Sequence, residues 1–166
     1  MPDKRVFNAS PLIVLGKVNL LSLLEELCEV IVVPAGVAAE IEHGSLDDSA
    51  RKWIRSQGSS WIKDVGHVHL AIAAWDLGSG ESEVLSWAYE HPGYEAVIDD
   101  RAARDCAYSM NIRVRGTIGI VLLAKRKNKI DRIAPVLLQL REVGLRVSQA
   151  LFDEALRLAG EDISAS

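Results

Sequence analysis

The chain has 166 residues, 49% of them hydrophobic and 25% charged, with a formal net charge of -4 at pH 7. That apolar content excludes a disordered chain, and the length suits a single domain over residues 1–166 with a core of its own. The acidic balance excludes a protein that coats nucleic acid by charge alone, but not a nucleic-acid enzyme, since clustered metal-binding carboxylates themselves make a chain acidic. Arg5–Phe7 (RVF) is apolar enough to predict a first strand, and Ser10 then reads as the cap of a helix whose first position is Pro11. Leu20, Leu21, Leu23, Leu24 and Leu27 carry a helical apolar stripe, EVIVVP a second strand, and AGVAAEIEHG a helix ending at Gly44. A helix around Ala50–Arg55 and an edge strand in SWIKDV follow.

GSGESEVLSWAYEHPG is the clearest helix, with a Gly/Ser entry, apolar spacing at Val84, Leu85 and Ala88, and a stop at His91-Pro92-Gly93. EAVID reads as the next strand, RAARDCAYSM as a helix and IRVRG as a short strand, before helices near Ile118–Lys127, Ile133–Val143 and Gln149–Ala159. Apolar strands alternating with amphipathic helices predict an α/β domain with a largely parallel sheet, whose ligands sit beyond the carboxyl ends of the strands. Two cysteines, Cys28 and Cys106, are too few for a disulfide framework or a cysteine-built zinc site, and they read as buried thiols. The opening MPDKRVFNASP lacks a long apolar core, and PLIVLGKVNLLSLLEEL is interrupted by Gly16, Lys17 and Asn19. A soluble, cytoplasmic protein without membrane association is the expectation.

Four acids can reach the predicted functional edge: Glu40 on the helix after the second strand, Glu81 in the first turn of its helix, and the adjacent Asp99 and Asp100. Carboxylates held this close repel one another and need cations, and oxygen-only ligands favour Mg²⁺ or Mn²⁺ over zinc. Such ions activate water and stabilise charge on a phosphodiester. Each acid also has a plainer role: Glu81 complements a helix dipole, Glu40 is a solvated helix residue, and one of Asp99 and Asp100 caps the helix beginning near Arg101. Arg101 and Arg104 read as charge-balancing. AKRKNK (Ala124–Lys129) is either a solvated helix end or a contact for an RNA backbone. His67 and His69 have no third partner to make a zinc site.

VFNASPLIVLGKVNLLSLLEEL, VVPAGVAAEI, GSGESEVLSWA, VIDDRAARDCA and VRGTIGIVLLAKRKNKI together resemble the PIN-domain superfamily, and more narrowly its branch of prokaryotic proteins related to VapC-type toxins. The likeness runs from Val6 to about Glu161. It implies a three-layer α/β/α sandwich around a mostly parallel sheet, and a Mg²⁺- or Mn²⁺-dependent ribonuclease. The implied metal ligands are Asn8, Glu40, Glu81, Asp99 and Asp100, with the four acids as the catalytic set and Asp100 slightly preferred over Asp99 by spacing. Ser10, Arg101, Thr117, Lys125 and Arg126 fall where substrate contacts are implied. Asn8 is the departure, because this strand-one position usually carries an aspartate, and an amide supplies an oxygen without its charge. The implied partners are an RNA substrate, a small antitoxin and a second copy of the chain, the last also suggested by the apolar positions Leu151, Leu156 and Leu158. The competing reading is a catalytically weak PIN-like module that binds RNA or protein, and Asn8 favours it. A phosphoacceptor receiver domain would need its acidic pair after the first strand, where this chain has Asn8.

Overall fold

The short apolar runs become strands in the computed structural model, which describes residues 3–44 and 48–161. β1 (Lys4–Phe7), β2 (Val30–Pro34), β3 (Ile62–Lys63), β4 (Tyr94–Val97) and β5 (Val114–Arg115) form one sheet in the order β3-β2-β1-β4-β5. Every pairing is parallel, with Val6 opposite Val32 on one side and Ala96 on the other. Parallel strands need crossover helices, and those cover both faces of the sheet and demand apolar strands. Val6, Phe7, Ala96 and Val97 are accordingly completely buried. The architecture is an α/β/α sandwich with an all-parallel centre.

The helices are α1 (Ala9–Lys17), α2 (Leu24–Leu27), α3 (Ala35–Glu42), α4 (Ser49–Arg55), α5 (Leu70–Ala73), α6 (Ser79–Glu90), α7 (Arg101–Ser109), α8 (Thr117–Arg126), α9 (Ile133–Glu142) and α10 (Gln149–Leu158). α6 crosses β1, β2 and β4 and packs on α3. A second apolar cluster, built on Val121, Ile133, Leu137, Leu140 and Phe152, joins α8, α9 and α10 and reaches Val14 of α1. Both cysteines are buried and free. Among the described residues no helix is long and apolar enough to cross a membrane.

The start of α1 differs from the sequence expectation. The helix begins at Ala9, Asn8 holds the cap position, and Ser10 is an exposed residue of the first turn. The strand-to-helix turn is too short for a separate capping serine: the Asn8 N–H still bonds Val97 O at 3.0 Å, continuing the sheet, while the next residue is already helical. The leucine stripe does not form one helix either. Asn19 takes a left-handed φ of 60°, after which a 3-10 turn (Leu21–Leu23) leads into the single turn of α2. α5 was not expected, since four residues carry too little periodicity to register. The His69 ring accepts from Ala71 N and so caps that helix, while His67 lies 3.5 Å from Glu90.

Candidate active site

β1 and β4 are neighbours, yet the chain leaves β1 toward β2 and leaves β4 toward β5, on opposite sides. A crevice opens between two such loops at the carboxyl edge of the sheet. Asn8 follows β1 there, and Asp99 and Asp100 follow β4.

Asn8 is 3% exposed and its amide nitrogen donates to Glu81 Oε1 at 3.2 Å. The orientation of that amide follows from the partner, because an ionised carboxylate only accepts. Asn8 Oδ1 is therefore turned the other way, and it is buried without a hydrogen-bond partner. Buried carbonyl oxygens are rarely left so, and each exception asks for a donor or a cation. Glu40 comes from α3 and Glu81 from the first turn of α6, beside two glycines that leave space. A methyl group on Gly80 would stand 3.1 Å from Asn8 Oδ1 and 3.6 Å from Glu40 Oε1, and one on Gly78 would stand 2.5 Å from Glu81 Oε2. Three oxygen-bearing side chains thus converge on a bare stretch of helix. Glu40 is exposed, yet partial desolvation, and then the charge of Glu81, raise its pKa above the usual carboxylate value. Glu83, two residues on from Glu81, accepts from Gly36 N at 3.4 Å and fastens α6 to the start of α3, holding the two acidic helices together.

The aspartate pair divides its work. Asp100 is exposed and caps α7, accepting from Ala103 N at 2.9 Å. Asp99 accepts from Thr117 twice, from N at 2.7 Å and from Oγ1 at 2.6 Å, and so ties the end of β4 to the start of α8. Thr117 is completely buried. The structure brings together Asn8, Glu40 and Glu81 and, separately, Asp99 and Thr117. Among the described residues no three His, Cys, Asp or Glu side chains stand close enough to hold a metal ion. Two carboxylates stand here, and one amide oxygen occupies the place of a third acid.

This donor set fits a hard divalent cation, which takes oxygen ligands and completes its shell with water. The unpartnered Asn8 oxygen beside Glu40 and Glu81 is the observation that makes it fit. The family model for DUF3368, a PIN domain, matches residues 4–161. The chain belongs to this PIN-domain family. PIN domains are in general divalent-metal-dependent nucleases, which assigns a nuclease role at that coarse level. No curated protein matches the sequence.

In this PIN domain the substrate-contact candidates are scattered. Thr117 and Arg101 lie at the carboxyl edge, the latter with a side chain 94% exposed and only 4.0 Å from Asp105. Ser10 is exposed on the first turn of α1. The basic run on α8 is largely engaged: Lys125 contacts Glu161 and Asp131 O, Lys127 pairs with Asp3, and Lys129 with Glu26. Arg126 is exposed at the end of α8. Sequence reasoning missed Glu83 and Arg146, which forms no ion pair with any described residue. The Glu-x-Glu spacing of Glu81 and Glu83 was a signal for the first; nothing local marked the second.

Proposed function

We propose that this PIN domain is a Mg²⁺- or Mn²⁺-dependent endoribonuclease acting from the Asn8, Glu40 and Glu81 edge. The observation that supports the reading is the buried, unpartnered Asn8 Oδ1 at the switch point of the sheet, with the Glu40 and Glu81 carboxylates nearby. Asn8, Glu40 and Glu81 would hold the ion, with Asp99 and Asp100 beside them on the same edge. When bound, the ion lowers the pKa of a coordinated water and offsets charge on the phosphodiester. Glu40 would be the residue that takes up a proton from such a water, at a carboxylate oxygen left free of the ion. Glu81 keeps Asn8 oriented through the amide hydrogen bond, and the Asp99–Thr117 clamp fixes the loop against which the RNA rests. Arg101, Ser10, Lys125 and Arg126 supply outer contacts to phosphates. A small antitoxin and a second copy of the chain are proposed partners; Leu158 on α10 is 60% exposed and suits such a contact, whereas Leu156 is spent in the core and Leu151 lines a groove.

One observation favours the alternative of a weak or inactive module: the neutral Asn8 amide occupies one oxygen of Glu81. Cleavage of a mixed RNA pool in Mn²⁺, compared with a Glu40→Gln/Glu81→Gln variant, separates the two. The nuclease reading predicts products from the parent that fall at least about a hundredfold in the variant, the scale of a lost general base. Equal products from both, or none from the parent at any Mn²⁺ or Mg²⁺ concentration, would leave the binding module.

A further inference from the structure

A groove of about 580 Å³ opens on the carboxyl edge beside β5, starting at Asp99. Its rim carries four arginines: Arg101 and Arg104 of α7, Arg115 of β5, and Arg146 between α9 and α10. Asp99 is the only acid among the lining residues, and both its oxygens already accept from Thr117. Arg104 and Arg146 form no ion pair with any described residue. Arg115 is bonded to Glu95 at 2.8 Å, and it shares that carboxylate with Arg113 and with Arg5, which has Asp3 as a second partner at 3.6 Å. Four arginines against one acid leave the lining of the groove positive. The Arg104 guanidinium is held in place by Ile98 O at 3.3 Å and Tyr108 Oη at 3.2 Å, which leaves other N–H donors unused. A methyl on Gly116 would stand 2.8 Å from Arg104 Nη1 and 2.9 Å from Asp99 Oδ1, so the bare backbone lets cation and acid approach the same spot. The floor is apolar, formed by Ile118, Leu122, Leu145 and Leu151, the last nearly half exposed.

From this arrangement we infer that the groove is a subsite for one unpaired nucleotide flanking the scissile bond, with Arg104 and Arg146 on its phosphates and the leucine floor under its base. The inference rests on the nuclease reading only for which bond is cut. Cations alone would suit any polyanion; the floor is what selects. A duplex turns its bases inward and offers phosphate and sugar outside, so it has nothing to place on leucines. A splayed single-stranded base does. No side chain on the floor has a hydrogen-bonding edge, so the subsite discriminates strandedness and not base identity. The α8 basic run, engaged with Glu161, Asp3 and Glu26, has fewer free charges for the same task.

The test is fluorescence anisotropy of a short labelled oligouridylate in EDTA, where binding is read without cleavage. Arg104→Ala and Arg146→Glu should each weaken binding about tenfold, the loss of one charge-assisted contact. Together they should make the log-log salt slope shallower by about 1.4, as two lost phosphates require for a single strand. Leu145→Asp should weaken the oligouridylate, and an RNA duplex should compete at least about tenfold less well than unlabelled oligouridylate. Arg146 is an exposed loop residue, so an unchanged thermal midpoint for Arg146→Glu keeps the result independent of folding. Unchanged affinity and slope in both arginine variants, or a duplex that competes equally, overturns the subsite. Displacement by poly-glutamate as efficient as by RNA also overturns it, in favour of an acidic protein ligand. The nuclease reading fails separately: a parent that never cleaves while these variants still lose RNA binding leaves the groove standing. Normal cleavage with unchanged KM in the double arginine variant removes the groove and spares the nuclease.

Discussion

Two adjacent aspartates after a buried strand end in different work because alternate residues leave a strand in different directions. Asp100 turns outward and spends one oxygen on Ala103 N; Asp99 turns toward α8 and spends both on Thr117. Their removal should differ accordingly. Asp100→Ala loses an N-cap and should cost about 1 kcal/mol in urea unfolding. Asp99→Ala should cost more, since it strands the Thr117 hydroxyl and N–H in a buried place, where an unmade bond carries its full desolvation penalty. Equal losses for the two would mean the clamp on Thr117 is not maintained in solution. Asn8 shows the same economy at one position: its nitrogen holds Glu81, while its oxygen is left for something the protein itself does not supply.

At the level of elements, the sheet is pinned across three strands by a charge cluster under the site. Arg5 of β1 is opposite Glu95 of β4 in register and bonds it at 2.9 Å, while Arg115 of β5 bonds the same oxygen at 2.8 Å. Burial alone would raise the Glu95 pKa; the hydrogen bond and charge of Arg115, with those of Arg5, outweigh it and hold the carboxyl below its usual value. A depressed folded-state pKa means that ionised Glu95 favours the fold. That contribution is fully present above the unfolded glutamate value of about 4.3 and is lost as pH falls through the lower folded value. Glu95→Gln leaves the buried Arg5 with only the more distant Asp3, 3.6 Å away, as a charge partner and should cost about 3 kcal/mol at neutral pH. The gap between parent and variant should narrow as urea melts are taken down below about pH 4. A gap that is constant with pH would show that packing, not charge, fixes β1 between its neighbours.

For the whole molecule, the strands and most helices were legible because buried parallel strands must be continuous apolar runs and their crossovers must be amphipathic. β2 with its terminal Pro34, α6 between its glycines and the HPG stop, and α7 after the aspartates are cases in point. Ser10 was misread because local cap chemistry gives no sign that the sheet continues one residue further into Asn8. The order of the strands, which sets β1 before Asn8 next to β4 before Asp99, and the partners of the α8 basic run were not legible, since Lys127 meets Asp3 across 124 residues. The arginine groove was hidden for the same reason: its members come from α7, β5 and the loop after α9. The candidate acids could be named from the sequence, but their division into a converging Asn8, Glu40 and Glu81 and a clamped Asp99 required the fold. The central claim is that this edge holds a divalent cation even with an amide in place of a third carboxylate. Calorimetric titration of Mn²⁺ into the parent and into Asn8→Asp tests it most directly, with Glu40→Gln/Glu81→Gln as the reference without site charge. The account predicts one weak site in the parent, none in the double variant, and at least about tenfold tighter binding in Asn8→Asp, about 1.4 kcal/mol for the restored charge. No heat from the parent, together with none from Asn8→Asp, would contradict it.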